Sequence, residues 1–367
     1  MSDSFNNKTI TLCFGVILIG FMAANILVPD TAVSFSERRF LSGIPSFDSE
    51  ELLSGELFEK YEKYFLDQFV LRENLRGLKA FFSLRVFSQK DNNGIYIVDG
   101  NIHKIEYPLR EAAIKNAADK LNEVYEKYLQ GMNASFAIIP DKNYFAAEKN
   151  GYLSLDYERL IALMRQHVRN IGYIDLFHAV DIDDYYRTDL HWSQERIPHL
   201  ADLLLRELGN EAHSRNVSYT EKTLYPYYGS YYGQAALKLE PDTLVYLTND
   251  MLENASVYDH IDGTVGSVYS EEKFGTIDSY DIFLSGAKSL LTIINPGAST
   301  DRELILFRDS FGSSIAPLLL KGYAKITLVD LRYLRTDMLG DYIDFHEGQD
   351  VLFLYHTMIL NNSYMLK

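Results

Sequence analysis

The chain has 367 residues, 47% hydrophobic and 23% charged, the proportions of a globular protein long enough for one large domain or two small ones. A formal net charge of −16 speaks against nucleic acid as a partner, because phosphate binding needs a basic surface. The single cysteine, Cys13, lies in an apolar N-terminal run, which excludes a disulfide framework or a zinc–cysteine site further on and suits an extracytoplasmic protein.

From Thr9 to Val28 no residue is charged, and the run is as long as the roughly 20 residues a helix needs to cross a bilayer. Met22-Ala23-Ala24 is a poor small-x-small cleavage site, so residues 1–29 read as an uncleaved transmembrane anchor rather than a signal peptide. The whole fold follows the anchor, and large domains translocate despite nearby charge, so the globular part is expected outside the cell membrane. Residues 30–107 read as a tether with Pro45, a helical stretch from Ser49 to Phe87 that Gly77 bends or interrupts, and a hairpin turning at Asp99-Gly100.

An α/β rhythm runs from 108 to 367. A helix from Pro108 stops at Gly131, Ser135–Ile139 is a strand, Asp156 caps a helix, and Gly172–Leu176 is a second strand. A helix is expected over Gln194–Leu208 with Ser193 as its cap. Residues of about 216–300 carry short β-like runs (Thr243–Leu247, Ser256–Tyr258, Ile282–Leu284, Leu290–Ile294) and read as a β-rich insertion. Strands Leu304–Phe307, Lys325–Val329 and Val351–Tyr355 then return, with a helix over Phe311–Leu320. Continuous apolar strands alternating with helices imply a three-layer α/β/α fold with a mostly parallel sheet.

Two places carry chemistry. Asp189 and His191 stand two apart, and in extended backbone such residues point to one side, so the carboxylate can fix one imidazole nitrogen and leave the other as a base. Ser310 follows an apolar strand and opens a helix, the corner where α/β sheets gather ligands and where helix N–H groups can face an oxyanion. The bland alternatives are a polar pair that fixes a loop, with Trp192 as core filler, and a helix cap at Asp309 or Ser310. Arg308 either lends positive charge near the oxyanion or is an exposed strand end, and the Tyr225–Gly233 run, with Tyr231 and Tyr232, either stacks sugars or fills a core. The remaining histidines show no metal-ligand spacing, and no metal or cofactor is expected.

Asp189-Leu-His191-Trp192 together with Asp309-Ser310-Phe311 resembles the signature of the DHHW family, which is similar to the acetyltransferase-type proteins of alginate biosynthesis and their SGNH-hydrolase-like fold. The resemblance extends over most of the chain after the anchor and includes Gly229-Ser-Tyr-Tyr-Gly233 and the end through Asn361-Asn362. It departs at Leu190, where the signature has His, and at Arg308, where SGNH enzymes have Gly. It implies a Ser310–His191–Asp189 triad, with Asn143, Asn362, Arg308, Phe311, Trp192, Tyr231 and Tyr232 as candidates around the oxyanion or substrate. The implied activity is O-acyl, chiefly O-acetyl, transfer to a cell-surface polysaccharide or cell-wall glycan, with a multi-pass membrane acyltransferase as the acyl source. An esterase with the same triad and a non-catalytic glycan-binding envelope protein are the alternatives.

Overall fold

A computed structural model of the chain describes residues 2–210 and 217–367, which divide into two compact units: 2–92 with 233–238, and 93–210 with 217–232 and 239–367.

In the first unit the apolar run lies in helix α1 (Ser2–Leu27). A two-residue pair follows, β1 (Val33–Ser34) with β2 (Arg39–Phe40), and then α2 (Ser49–Ser54), α3 (Glu56–Asp67) and α4 (Arg72–Phe81), the last continued by one wide turn, Phe82–Val86. The stretch expected as one helix is therefore three. Its breaks fall at Gly55 (φ 87°) and Leu71 (φ 59°), where the backbone turns left-handed, and not at Gly77. Gly77 stays helical, and a Cβ there would come within 3.1 Å of the Ala236 carbonyl oxygen, so the glycine serves close approach instead of a bend.

The second unit opens with the expected hairpin, β3 (Ile95–Val98) and β4 (Asn101–Lys104). Asp99 (φ 49°) and Gly100 (φ 79°) supply the two positive φ values such a two-residue turn needs. Next come α5 (Glu111–Tyr128), β5 (Asn133–Ile139), α6 (Lys142–Asn150), α7 (Tyr157–His167), β6 (Gly172–Ile174) and α8 (Pro198–Glu207). The helix expected over Gln194–Leu208 begins only at Pro198, whose ring presets the first turn, and Ser193 makes no capping bond. β7 (Thr220–Tyr227), α9 (Ser230–Ala235, its last three residues counted with the first unit), β8 (Asp242–Thr248), α10 (Asp250–Asn254), β9 (Ser256–Asp259), β10 (Thr264–Gly266) and β11 (Leu290–Ile294) fill the expected insertion, whose first residue, 216, lies outside the described residues. The chain closes with β12 (Glu303–Arg308), α11 (Phe311–Leu319), β13 (Lys325–Val329), β14 (Gln349–His356) and α12 (Thr357–Asn361).

Eight strands form the main sheet in the order β10-β9-β11-β13-β12-β14-β5-β6. The five from β13 to β6 are parallel, and β11, β9 and β10 add an antiparallel edge. The insertion is thus not one separate body: β7 and β8 pair by themselves, whereas β9 to β11 extend the sheet. Ile282–Leu284, expected as a strand, is instead the end of a single 3-10 turn followed by left-handed Leu284 (φ 55°), because Asp278 caps the turn at the Tyr280 N–H. A short apolar run alone does not distinguish the two.

Each central strand feeds both faces of the sheet at period two. Leu304 and Leu306 pack with Ile315 and Leu319 of α11 and Leu200 and Leu204 of α8, while Ile305 and Phe307 pack with Leu121 of α5 and Leu160 of α7. The result is the three-layer α/β/α fold with a mostly parallel sheet. It presents the carboxyl ends of β5, β12 and β14 along one edge.

Candidate active site

Ser310 stands at that edge, between β12 and α11. Asp309, not Ser310, satisfies the corner: its Oδ1 accepts the Phe311 N–H at 2.9 Å and its Oδ2 accepts the His356 N–H at 2.7 Å, tying the end of β12 to that of β14. Burial raises the Asp309 pKa. The serine hydroxyl makes no capping bond and is free to face the edge.

The second half of the site is a closed loop. Tyr185 pairs with Trp192, the Tyr186 N–H donates to the His191 carbonyl at 3.1 Å and the Ser193 N–H to that of Asp184 at 2.7 Å. Asp189 and His191 share a side through a turn rather than through extended backbone. Asp189 Oδ1 accepts both the His191 N–H (2.9 Å) and its ring Nδ1 (2.6 Å). Asp189 Oδ2 accepts the Ser230 N–H. The other ring nitrogen, Nε2, lies 2.7 Å from Ser310 Oγ. Asp189 is 0% and His191 5% exposed, while Ser310 is half-buried, so the line of hydrogen bonds runs from a sealed carboxylate to a hydroxyl that a substrate can reach.

Four groups hold the loop in place. Lys142, fully buried beyond the end of β5, donates to the carbonyls of Tyr186 (2.6 Å), Arg187 (2.9 Å) and Asp189 (3.2 Å), and burial pushes its pKa down to about 7. Asp242 Oδ2 accepts the Thr188 N–H (2.7 Å) and hydroxyl (2.6 Å). Gly229 approaches so closely that a Cβ would come within 2.3 Å of the Thr188 carbonyl oxygen. Tyr280, from the insertion, lays its ring on that of His191 with centroids 3.9 Å apart and planes at 5°, and its hydroxyl donates to Ser314 Oγ at 2.8 Å.

The remaining expected residues fall unevenly. Trp192 is core, as the bland reading had it: fully buried, it donates to Ser314 Oγ at 2.8 Å and abuts the Phe311 ring. Phe311 lies against His191 and stacks on His356, with centroids 4.8 Å and 4.5 Å apart. Tyr231 is buried, and its N–H donates to the Thr188 carbonyl at 3.0 Å. Tyr232 makes the same main-chain bond and packs on Tyr228 at 4.7 Å. Neither expectation describes Arg308. It is 0% exposed, its guanidinium donates to the carbonyls of Asp309 (3.3 Å) and Lys288 (3.4 Å), and its methylenes fill the space a Cβ on Gly312 would need. Asn143 donates to the Leu153 carbonyl and accepts the Tyr96 hydroxyl, and Asn362 donates to the Met358 carbonyl and accepts from Arg110, so both side chains are tied to partners other than Ser310. The helix N–H groups expected there are also taken: those of Phe311, Gly312 and Ser313 donate to Asp309 or Ser310.

One buried donor at this corner went unnoticed in the sequence. His356 Nδ1 accepts the Met358 N–H at 3.3 Å, which leaves the proton of the neutral ring on Nε2, and that atom is buried without a partner among the described residues. Burial holds its pKa down at about 3. Among the described residues no three His, Cys, Asp or Glu side chains converge as metal ligands would.

A mostly parallel sheet between helices gives the chain an SGNH-hydrolase-like α/β fold. The chain belongs to the DHHW family, whose description is DHHW protein and whose model matches residues 112–329, a span that holds Asp189, His191, Trp192 and Ser310. Among solved structures it is similar to a DHHW family protein from Eubacterium siraeum DSM 15702 (21% identity over 75% of this chain and 94% of that one, TM-score 0.61). It is also similar to PatB1 of Bacillus cereus (17%, 73% and 97%, TM-score 0.56), which has been solved with a sulfonyl adduct as well. No curated protein matches the chain.

Proposed function

We propose that the chain is an extracytoplasmic O-acyltransferase, held to the membrane by α1, that moves acetyl groups onto a cell-surface polysaccharide through an acyl-enzyme on Ser310. The observation that carries this reading is the unbroken line from Asp189 Oδ1 through His191 to Ser310 Oγ, with steps of 2.6 Å and 2.7 Å. Ser310 Oγ attacks the carbonyl carbon of the acyl donor as its proton passes to His191 Nε2, and Asp189 steadies the imidazolium. The tetrahedral intermediate collapses, the donor's oxygen leaves with that proton, and the acyl group stays on Ser310. A sugar hydroxyl then attacks the ester, giving its proton to His191, which returns it to the departing Ser310 Oγ. The acyl donor is assigned to a multi-pass membrane acyltransferase, as the resemblance implies. The direct test is to incubate the protein with an activated acetyl ester, or with a sulfonyl fluoride, and weigh the peptide containing Ser310. A mass increase of one acetyl or sulfonyl group on Ser310 is expected, and an unmodified Ser310 under conditions that leave the protein folded contradicts the reading.

Tyr280 is assigned a positioning role. A ring face on His191 restrains the imidazole in the orientation that meets Ser310, by about 0.5–1.5 kcal/mol, or roughly 2- to 10-fold in rate. Tyr280→Leu is expected to lower kcat/KM by that factor. Tyr280→Phe retains most of the stack and is expected to stay near wild type. A Tyr280→Leu protein with wild-type kcat/KM is the outcome that defeats this assignment.

A further inference from the structure

Within the first unit, α4 and the wide turn after it carry their apolar stripe on the wrong side for a water-soluble helix. Leu71, Leu75, Leu78, Phe82 and Val86 recur every three or four residues and so line one face. That face points outward, with the five side chains 39–57% exposed. The opposite face, which ordinarily would be apolar, is charged and paired: Arg72 meets Glu37 at 2.8 Å, and Arg76 meets Glu73 at 2.9 Å and Glu37 at 3.4 Å. Phe87, 68% exposed, continues the apolar surface, and the cations Lys79 and Arg85 border it. Burying such a face gains roughly 25 cal/mol for each Å² removed from water, so leaving five large side chains bare is a substantial forfeit unless something covers them.

The occupant follows from where the stripe begins. The Val70 N–H donates to Asn25 Oδ1 at 2.8 Å, and the Phe69 ring stacks on Phe21 with centroids 5.6 Å apart. Phe21 and Asn25 lie in the last two turns of α1, where a membrane span leaves the bilayer. α4 therefore starts at the level of the membrane surface. An apolar stripe bordered by Lys and Arg is the pattern of a helix lying in the interface, with side chains among the acyl chains and cations against lipid phosphates. We propose that residues 71–87 form an interfacial helix whose exposed face is covered by the lipid bilayer, a second and peripheral hold on the membrane beyond α1. This rests on the reading of α1 as a membrane span.

The test uses the full-length chain in vesicles of phosphatidylcholine with a fraction of phosphatidylglycerol, with bromine on the acyl chains as a contact quencher. The one native tryptophan, Trp192, is fully buried and gives a constant background. Three variants each add a reporter: Cys13→Trp in α1, and Phe82→Trp and Phe87→Trp in the stripe, all at exposed positions where the exchange leaves packing intact. Added emission is expected to be quenched in all three. For the two stripe reporters, bromine near the headgroup end of the acyl chain should quench more than bromine near its tip. If Cys13→Trp is quenched and both stripe reporters are not, the interfacial helix is overturned while the anchor stands, and a protein becomes the occupant of the face. If Cys13→Trp is not quenched in vesicles that carry the protein, the anchor fails and the proposal with it.

Discussion

Ser310→Ala is expected to abolish acyl transfer and ester cleavage together, because in the proposed mechanism both pass through the same acyl-enzyme. Removing a triad nucleophile costs about 10³- to 10⁶-fold in rate, depending on how much the rest of the site retains. The structure separates this loss from a folding defect. The Phe311 N–H is capped by Asp309, and the Ser310 hydroxyl bonds to His191 instead, so the substitution removes no cap. A melting temperature close to wild type is therefore expected alongside the lost turnover. Asp309→Ala is the contrasting variant. It strands the buried N–H groups of Phe311 and His356, each worth about 1–3 kcal/mol, and its main effect should be on stability. A Ser310→Ala protein that melts early and still turns over would reverse the two assignments and leave the serine as the cap.

That contrast marks how far the sequence carries. Asp189, His191 and Ser310 were legible because each is part of a short motif in a recognisable setting, a loop before a helix and a strand-to-helix corner. Which of Asp309 and Ser310 caps α11 was not, since both are favoured cap residues and the choice depends on the His356 N–H arriving from another strand. Lys142 carried a signal, standing just past the Pro140-Asp141 end of a strand at the sheet's carboxyl edge, but its three carbonyl partners lie more than 40 positions away. Tyr280 carried none. It sits in a stretch broken by Gly and Asp with no periodicity, and only the folded insertion brings it onto His191. Asn143 and Asn362 show the converse: residue type suggested amide donors for the site, and the fold ties both to partners other than Ser310.

Asp189→Asn tests the other end of the line. Asp189 Oδ1 accepts the ring Nδ1 and main-chain N–H of His191, and Oδ2 accepts the Ser230 N–H. An asparagine has one acceptor end and one donor end, so it must turn an N–H toward one of these N–H donors. If the amide nitrogen faces Ser230, a buried donor pair is left unmet, at about 1–3 kcal/mol. If it faces His191, the ring proton moves to Nε2 and the base can no longer take the proton of Ser310; this change of tautomer costs about 10⁴-fold in a triad. A modest fall in melting temperature with a far larger loss of turnover is expected, and sulfonylation of Ser310 should slow in parallel, because it needs the same base. Esterase turnover, its pH profile and the labelling rate, measured on one preparation, decide the matter. An Asp189→Asn protein with the wild-type rate and pH profile would take the carboxylate out of the mechanism and leave it a loop tie between His191 and Ser230.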